Sequence, residues 1–135
     1  MISPSLDSLR IFLHLFAVAV WLGGQVVLAG AVPSVRKVAP EAMTPLAKGF
    51  ARVAWPAMAV IVFTGVWGLL SVEVAEKDTE YHVTFGLKML FVAAAVAATL
   101  IHSQGTTKAA KAIGGAVGLL TTVLAAYAGV LIAHG

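Results

Sequence analysis

The sequence predicts an all-α integral membrane protein, a bundle of four transmembrane helices. Three observations predict it. The 135 residues are 60% hydrophobic and only 11% charged, with a mean hydropathy of +0.96, more apolar surface than a soluble domain of this size can hide. The apolar residues fall in four runs long enough to cross a bilayer, separated by short polar loops. None of the runs alternates apolar with polar residues as a lipid-facing barrel strand must.

The first span runs from about Leu6 to Val32, ending where Pro33 disfavours helix at the residue before it. The second covers about Phe50 to Val74. Within it Pro56 is expected to kink or start the helix, and Trp55 and Trp67 near its ends suit an interfacial belt. The third runs from about His82 to Gln104, with Gly105 following, and the fourth from about Ala112 to Ala133. No 20–50-residue repeat divides the chain, so residues 1–135 read as one domain. Ala29-Gly30-Ala31 looks like a signal-peptidase site. The run before it is too long for a signal peptide, and Arg10 is offset by Asp7, so the first span reads as retained.

Basic residues choose the orientation. Arg36, Lys37, Lys48 and Arg52 flank the first loop, and Lys108 and Lys111 the third. The middle loop, "EVAEKDTEYH", is acidic apart from Lys77. The positive-inside rule then places both termini outside and the two basic loops in the cytoplasm. The net charge of +3 is accounted for by this asymmetry, and no nucleic-acid partner is inferred from it. The absence of cysteine excludes disulfides, thiolate metal sites, iron–sulfur clusters and covalent c-type haem.

The polar residues inside the spans carry the chemistry. In "HLFAVAVWLGGQ", His14, Trp21 and Gln25 are spaced by seven and four, which puts them on one helix face. On the third span Lys88 begins a similar stripe through Ala95, Thr99 and His102. Gly23 and Gly24 border the first stripe and Ala93 to Ala98 the second. Such small residues allow either close helix approach or a slot for a flat ligand. His14 reads in two ways: a neutral histidine donating across to a backbone carbonyl or a threonine, or a nitrogen ligand to haem iron or copper. Lys88 snorkels to the headgroups, meets an anion such as a porphyrin propionate, or, deprotonated, serves as a metal ligand. His82 and His134, at the outer ends of their helices, are solvated or join an outer metal site with His14. His102 lies near the cytoplasmic end, about 15–20 Å below His14 by helical rise. The two cannot share one iron.

Other chemistries lose ground. Four methionines are scattered with no i, i+4 pair on one span, which removes the simplest thioether copper ladder. No carboxylate lies deep in a span, which argues against a carboxylate proton pump or sodium transporter. Gly114-x-x-x-Gly118 and Ala125-x-x-x-Gly129 suit packing within the chain first and a homodimer second.

"LHLFAVAVWLGG" from Leu13 and "FGLKMLFVAAAVAATL" from Phe85 resemble helices of the bacterial copper-resistance D (CopD) membrane domain. "WPAMAVIVFTGVWGLL" from Trp55 resembles the related HemJ-type protoporphyrinogen oxidases. The resemblance covers three of the four spans. It implies a small helical bundle in the bacterial inner membrane, with His14 matching a first-helix histidine and Lys88 a third-helix lysine. His102 falls about one turn from a further HemJ-type histidine. For function it implies either b-type haem with porphyrinogen oxidation or copper uptake.

Three functions follow as expectations. The first is haem b binding with a redox role, with His14, Trp21, Gln25, Lys88 and His102 as cofactor-binding residues and a redox partner or respiratory complex as client. The second is copper homeostasis, with His14, His82 and His134 as ligands. The third is a ligand-free subunit of a membrane complex.

Overall fold

The computed structural model describes residues 3–134, and among them every regular element is helical. Four long helices follow in order: α1 Leu6–Val38, α2 Met43–Leu70, α3 Thr79–Gln104 and α4 Lys108–His134. Each is long and apolar enough to cross a membrane, consistent with a membrane protein. Single 3₁₀ turns at Pro40–Ala42 and Val74–Glu76 lie in the first two connections.

The helix starts follow local side-chain chemistry. Ser5 caps α1 by accepting from the Ser8 N–H at 3.1 Å, while the Ser8 hydroxyl accepts the Ser5 N–H at 2.9 Å. Asp78 caps α3 by accepting from the Tyr81 N–H at 2.8 Å. Thr107 does the same for α4 through the Ala110 N–H at 3.0 Å. Each cap satisfies amide groups that the first helical turn leaves without partners.

The ends differ from the sequence reading in one instructive place. α1 does not stop at Val32: it passes through Pro33 and runs to Val38. Proline disfavours helix before it but does not forbid it, and Arg36 and Lys37 in the last turn complement the helix dipole. The rule acts at the next proline instead. Ala39, immediately before Pro40, leaves the helix at φ −145° and ψ 69°, its N–H closing on the Val35 carbonyl. α2 likewise begins at Met43, seven residues before Phe50, and ends at Leu70 rather than Val74. Pro56 therefore lies well inside a continuous helix, and Trp55 lies inside it too rather than at an end. α3 begins at Thr79 and α4 at Lys108, each a few residues before the apolar run.

The chain forms two compact units that meet in sequence between Val74 and Ala75. In the first, α1 and α2 run antiparallel. Arg10 lies over Gly68, His14 meets Thr64, Trp21 meets Trp55, and Gly24 lies against Phe50. As the number rises on α1 it falls on α2, which fixes the pairing. Ala17 and Trp21 from α1 and Ala54, Ala57, Met58 and Thr64 from α2 are buried along this seam.

In the second unit α3 and α4 pair in the same antiparallel sense: His102 against Gly114 and Gly115, Thr99 against Gly118, Lys88 against Gly129. The approach is closest at Gly114. A Cβ placed there would sit 2.7 Å from the His102 amide nitrogen and 2.8 Å from the Ala98 carbonyl oxygen. Only the absence of a side chain permits that distance. Large apolar side chains point away from both seams: Phe12, Phe16 and Phe63 in the first unit and Leu90, Ile113 and Leu120 in the second are each more than half exposed. Such faces suit contact with lipid tails.

Candidate functional site

Each unit holds its own polar stripe. On α1, His14 and Trp21 of the predicted face meet α2. The His14 Nδ1 lies 2.8 Å from the Thr64 hydroxyl oxygen. That hydroxyl also lies 2.6 Å from the Val60 carbonyl, one turn back on its own helix. The proton positions follow by counting. A carbonyl only accepts, so the single Thr64 hydrogen goes to Val60, and the Thr64 oxygen must accept from His14. His14 is therefore the Nδ1–H tautomer, and its basic lone pair lies on Nε2. Thr64 is fully buried, 0% exposed, so this bond forms in a dry seam where its strength and directionality are high.

Two turns deeper, the buried Trp21 meets the half-buried Trp55 edge to face, with centroids 5.5 Å apart and planes at 68°. This is a preferred aromatic geometry, worth about 0.5–1.5 kcal/mol beyond burial. The Trp55 ring is thus engaged by Trp21 within the seam. One turn further, Gln25 is half-buried, and its Nε2 is buried with no hydrogen-bond partner among the described residues. An amide donor left this way costs about 1–3 kcal/mol.

Arg10, one turn toward the N-terminus from His14, was not singled out by the sequence. Its Nη2 and Nε donate to the Asp7 carboxylate at 2.6 and 3.2 Å, and its Nη1 lies where a Gly68 side chain would otherwise stand. Thr64 is the other residue that sequence reading left unnamed. A threonine in an apolar helix returns its hydroxyl to the i−4 carbonyl as a matter of course. Which threonine faces a histidine is set only by the α1–α2 register.

In the second unit Lys88, Thr99 and His102 of the stripe lie against α4, and Ala95 is buried. The half-buried Lys88 ammonium lies over Gly129, 3.4 Å from where a Cβ would be. Among the described residues it makes no ion pair. Thr99 spends its hydroxyl on the Ala95 carbonyl at 2.7 Å. The His102 Nδ1 meets the Lys111 carbonyl across the α3–α4 turn. Since the carbonyl can only accept, this ring too is Nδ1–H. His102 is otherwise exposed and sits in the notch left by Gly114 and Gly115.

His82 and His134 are exposed at the first turn of α3 and the last residue of α4. The His82 ring stacks edge-on to Tyr81, centroids 5.8 Å apart. Among the described residues no three His, Asp or Glu side chains gather into a group that could hold a metal ion. The chain matches no known family model, no curated protein and no solved structure.

Proposed function

We propose that this chain is a multi-pass protein of the bacterial inner membrane, both termini outside, that binds haem b through His14 and serves a redox role. The observation that carries the reading is the His14–Thr64–Val60 chain of hydrogen bonds. Metal-ligating histidines characteristically donate one ring N–H to a fixed acceptor, which orients the ring and leaves the other nitrogen basic. Thr64 supplies such an acceptor from a neighbouring helix. Gly65, beside it, puts no side chain against the His14 ring: a Cβ there would stand 3.9 Å from Cε1.

Haem, when bound, supplies a one-electron couple. The residues supply the rest. His14 presents Nε2, Thr64 holds the ring, and the Trp21–Trp55 pair keeps the seam dry below it. Gln25 offers an amide donor that the fold does not use. Lys88, in its own unit, offers an ammonium to a carboxylate such as a porphyrin propionate. His102 presents Nε2 at the opposite end of α3 and suits a separate site.

Copper homeostasis through His14, His82 and His134 is the competing reading, and a ligand-free structural role the third. Ligand number favours haem over copper. A porphyrin brings four nitrogens of its own and asks the protein for one or two, whereas a copper site must draw its whole ligand set from side chains. An oriented imidazole fits the first demand.

The test is the visible spectrum of detergent-purified protein, oxidised and then dithionite-reduced. A Soret peak with sharp reduced α and β bands is expected, and His14→Ala is expected to abolish it. Stoichiometric copper with no porphyrin in the wild type would replace haem with the copper reading. A Soret band surviving in His14→Ala would remove His14 as the ligand.

A further inference from the structure

Lys48, Arg52 and Pro56, then the adjacent Ala59 and Val60, each three or four residues from both Pro56 and Phe63, form with Phe63 one continuous face of α2. That face is turned away from the seam with α1, and all six residues are exposed, Phe63 by 65%. Its first turns are cationic and the rest is apolar.

Depth assigns the two parts. Val53 to Leu70 is an uncharged stretch of about 27 Å at 1.5 Å per residue, close to the thickness of a bilayer's hydrocarbon core. Arg52 therefore falls at its edge and Lys48 one turn beyond, at the level of lipid phosphates. Neither joins an ion pair, since among the described residues the ion pair links Arg10 to Asp7. Gly49 lies between them with open space where a side chain would be. From Arg52 to Phe63 the face runs about 16 Å, roughly one leaflet's depth of acyl chain.

A second feature is independent of charge. In a helix the Arg52 carbonyl should receive the N–H of residue 56, but residue 56 is proline and has none. An acceptor is thus left without its usual helical donor in the turn between Arg52 and Pro56. A phosphate alone cannot use it, because an ionised phosphodiester has no proton to give. A hydroxyl can.

We infer that this face of α2 binds an anionic glycerophospholipid whose headgroup carries free hydroxyls, the phosphatidylglycerol type. The phosphate lies on Lys48 and Arg52, a headgroup hydroxyl donates to the Arg52 carbonyl, and an acyl chain follows Pro56, Val60 and Phe63. The inference uses α2 as a spanning helix and is independent of haem.

The test titrates the full chain in neutral detergent with three lipids, read by native mass spectrometry. Phosphatidylglycerol should bind most tightly. Phosphatidylmethanol, which is anionic but has no hydroxyl, should be intermediate, and phosphatidylcholine weakest. The double variant Lys48→Gln/Arg52→Gln should bring both anionic lipids down to the phosphatidylcholine level. Pro56→Ala, which restores the N–H to the Arg52 carbonyl, should lower phosphatidylglycerol to the phosphatidylmethanol level and leave the latter unchanged. Equal binding of the three lipids by the wild type would overturn the inference, as would anionic-lipid binding unaltered in the double variant. So would displacement of the lipid by millimolar inorganic phosphate, which would mark a site for soluble anions. Phosphatidylglycerol binding unchanged in Pro56→Ala would overturn the headgroup assignment.

Discussion

At His14 a single proton decides what the ring can offer. Because Thr64 commits its own hydrogen to the Val60 carbonyl, the imidazole must be the donor, and the basic nitrogen is Nε2. Thr64→Val keeps the shape of the side chain and removes the acceptor. If His14 binds haem as proposed, haem affinity should fall about 10–100-fold, the usual cost of losing such a supporting bond, measured by haem titration of the purified protein. Unchanged affinity would mean that Thr64 does not orient the ligand. Gln25 makes the opposite prediction. Its Nε2 is buried without a partner, so Gln25→Met should stabilise the ligand-free protein by about 1–2 kcal/mol. Thermal unfolding in detergent reads this directly, and a lowered midpoint would show that the amide is satisfied in the folded protein.

Along the helices, glycines that look equivalent in the sequence are not equivalent in the fold. Gly114 faces backbone: a Cβ there would meet the His102 nitrogen and Ala98 oxygen at 2.7 and 2.8 Å. Two helices would have to separate to admit it. Gly24 faces the far edge of the Phe50 ring, 2.5 Å from the same hypothetical atom, and a ring can swing aside. Gly114→Ala should therefore cost about 2–3 kcal/mol, in the upper range for overpacking, and Gly24→Ala less than about 1 kcal/mol. Paired unfolding measurements check the order, and equal costs would show that α3 and α4 lie further apart. The prolines divide in the same way. Pro33 and Pro56 are carried inside helices while at Pro40 the preceding residue, Ala39, leaves the helix.

For the whole chain, the proposed topology rests on where the basic residues lie. Arg36, Lys37, Lys48 and Arg52 cluster about the α1–α2 connection, and Lys108 and Lys111 begin α4. The absence of native cysteine makes this simple to test. Single cysteines at Ser5 and Ala75 should react with an impermeant thiol reagent added to intact cells. Cysteines at Ala39 and Thr106 should react only after the membrane is opened. The reverse pattern would invert the orientation and place the α2 cations in the other leaflet.

Hydropathy alone identified four helices and excluded barrel strands, because burying backbone polar groups in hydrocarbon leaves few solutions. Spacing alone identified the stripes through His14 and Lys88, because 3.6 residues per turn is a local property. For His14 the sequence left two readings, a neutral histidine donating to a carbonyl or a threonine, or a metal ligand; the Thr64 contact supplies the bond of the first. Helix ends were less legible: a proline's effect depends on whether its helix has reason to continue, and Pro33 and Pro40 received opposite outcomes. What only the tertiary structure decided was which residue each stripe meets. That Thr64 accepts from His14, that Trp55 closes on Trp21 and that Gly129 receives Lys88 all depend on the register between helices distant in sequence. Register is set by the shapes of two packed surfaces together, and no single segment carries it.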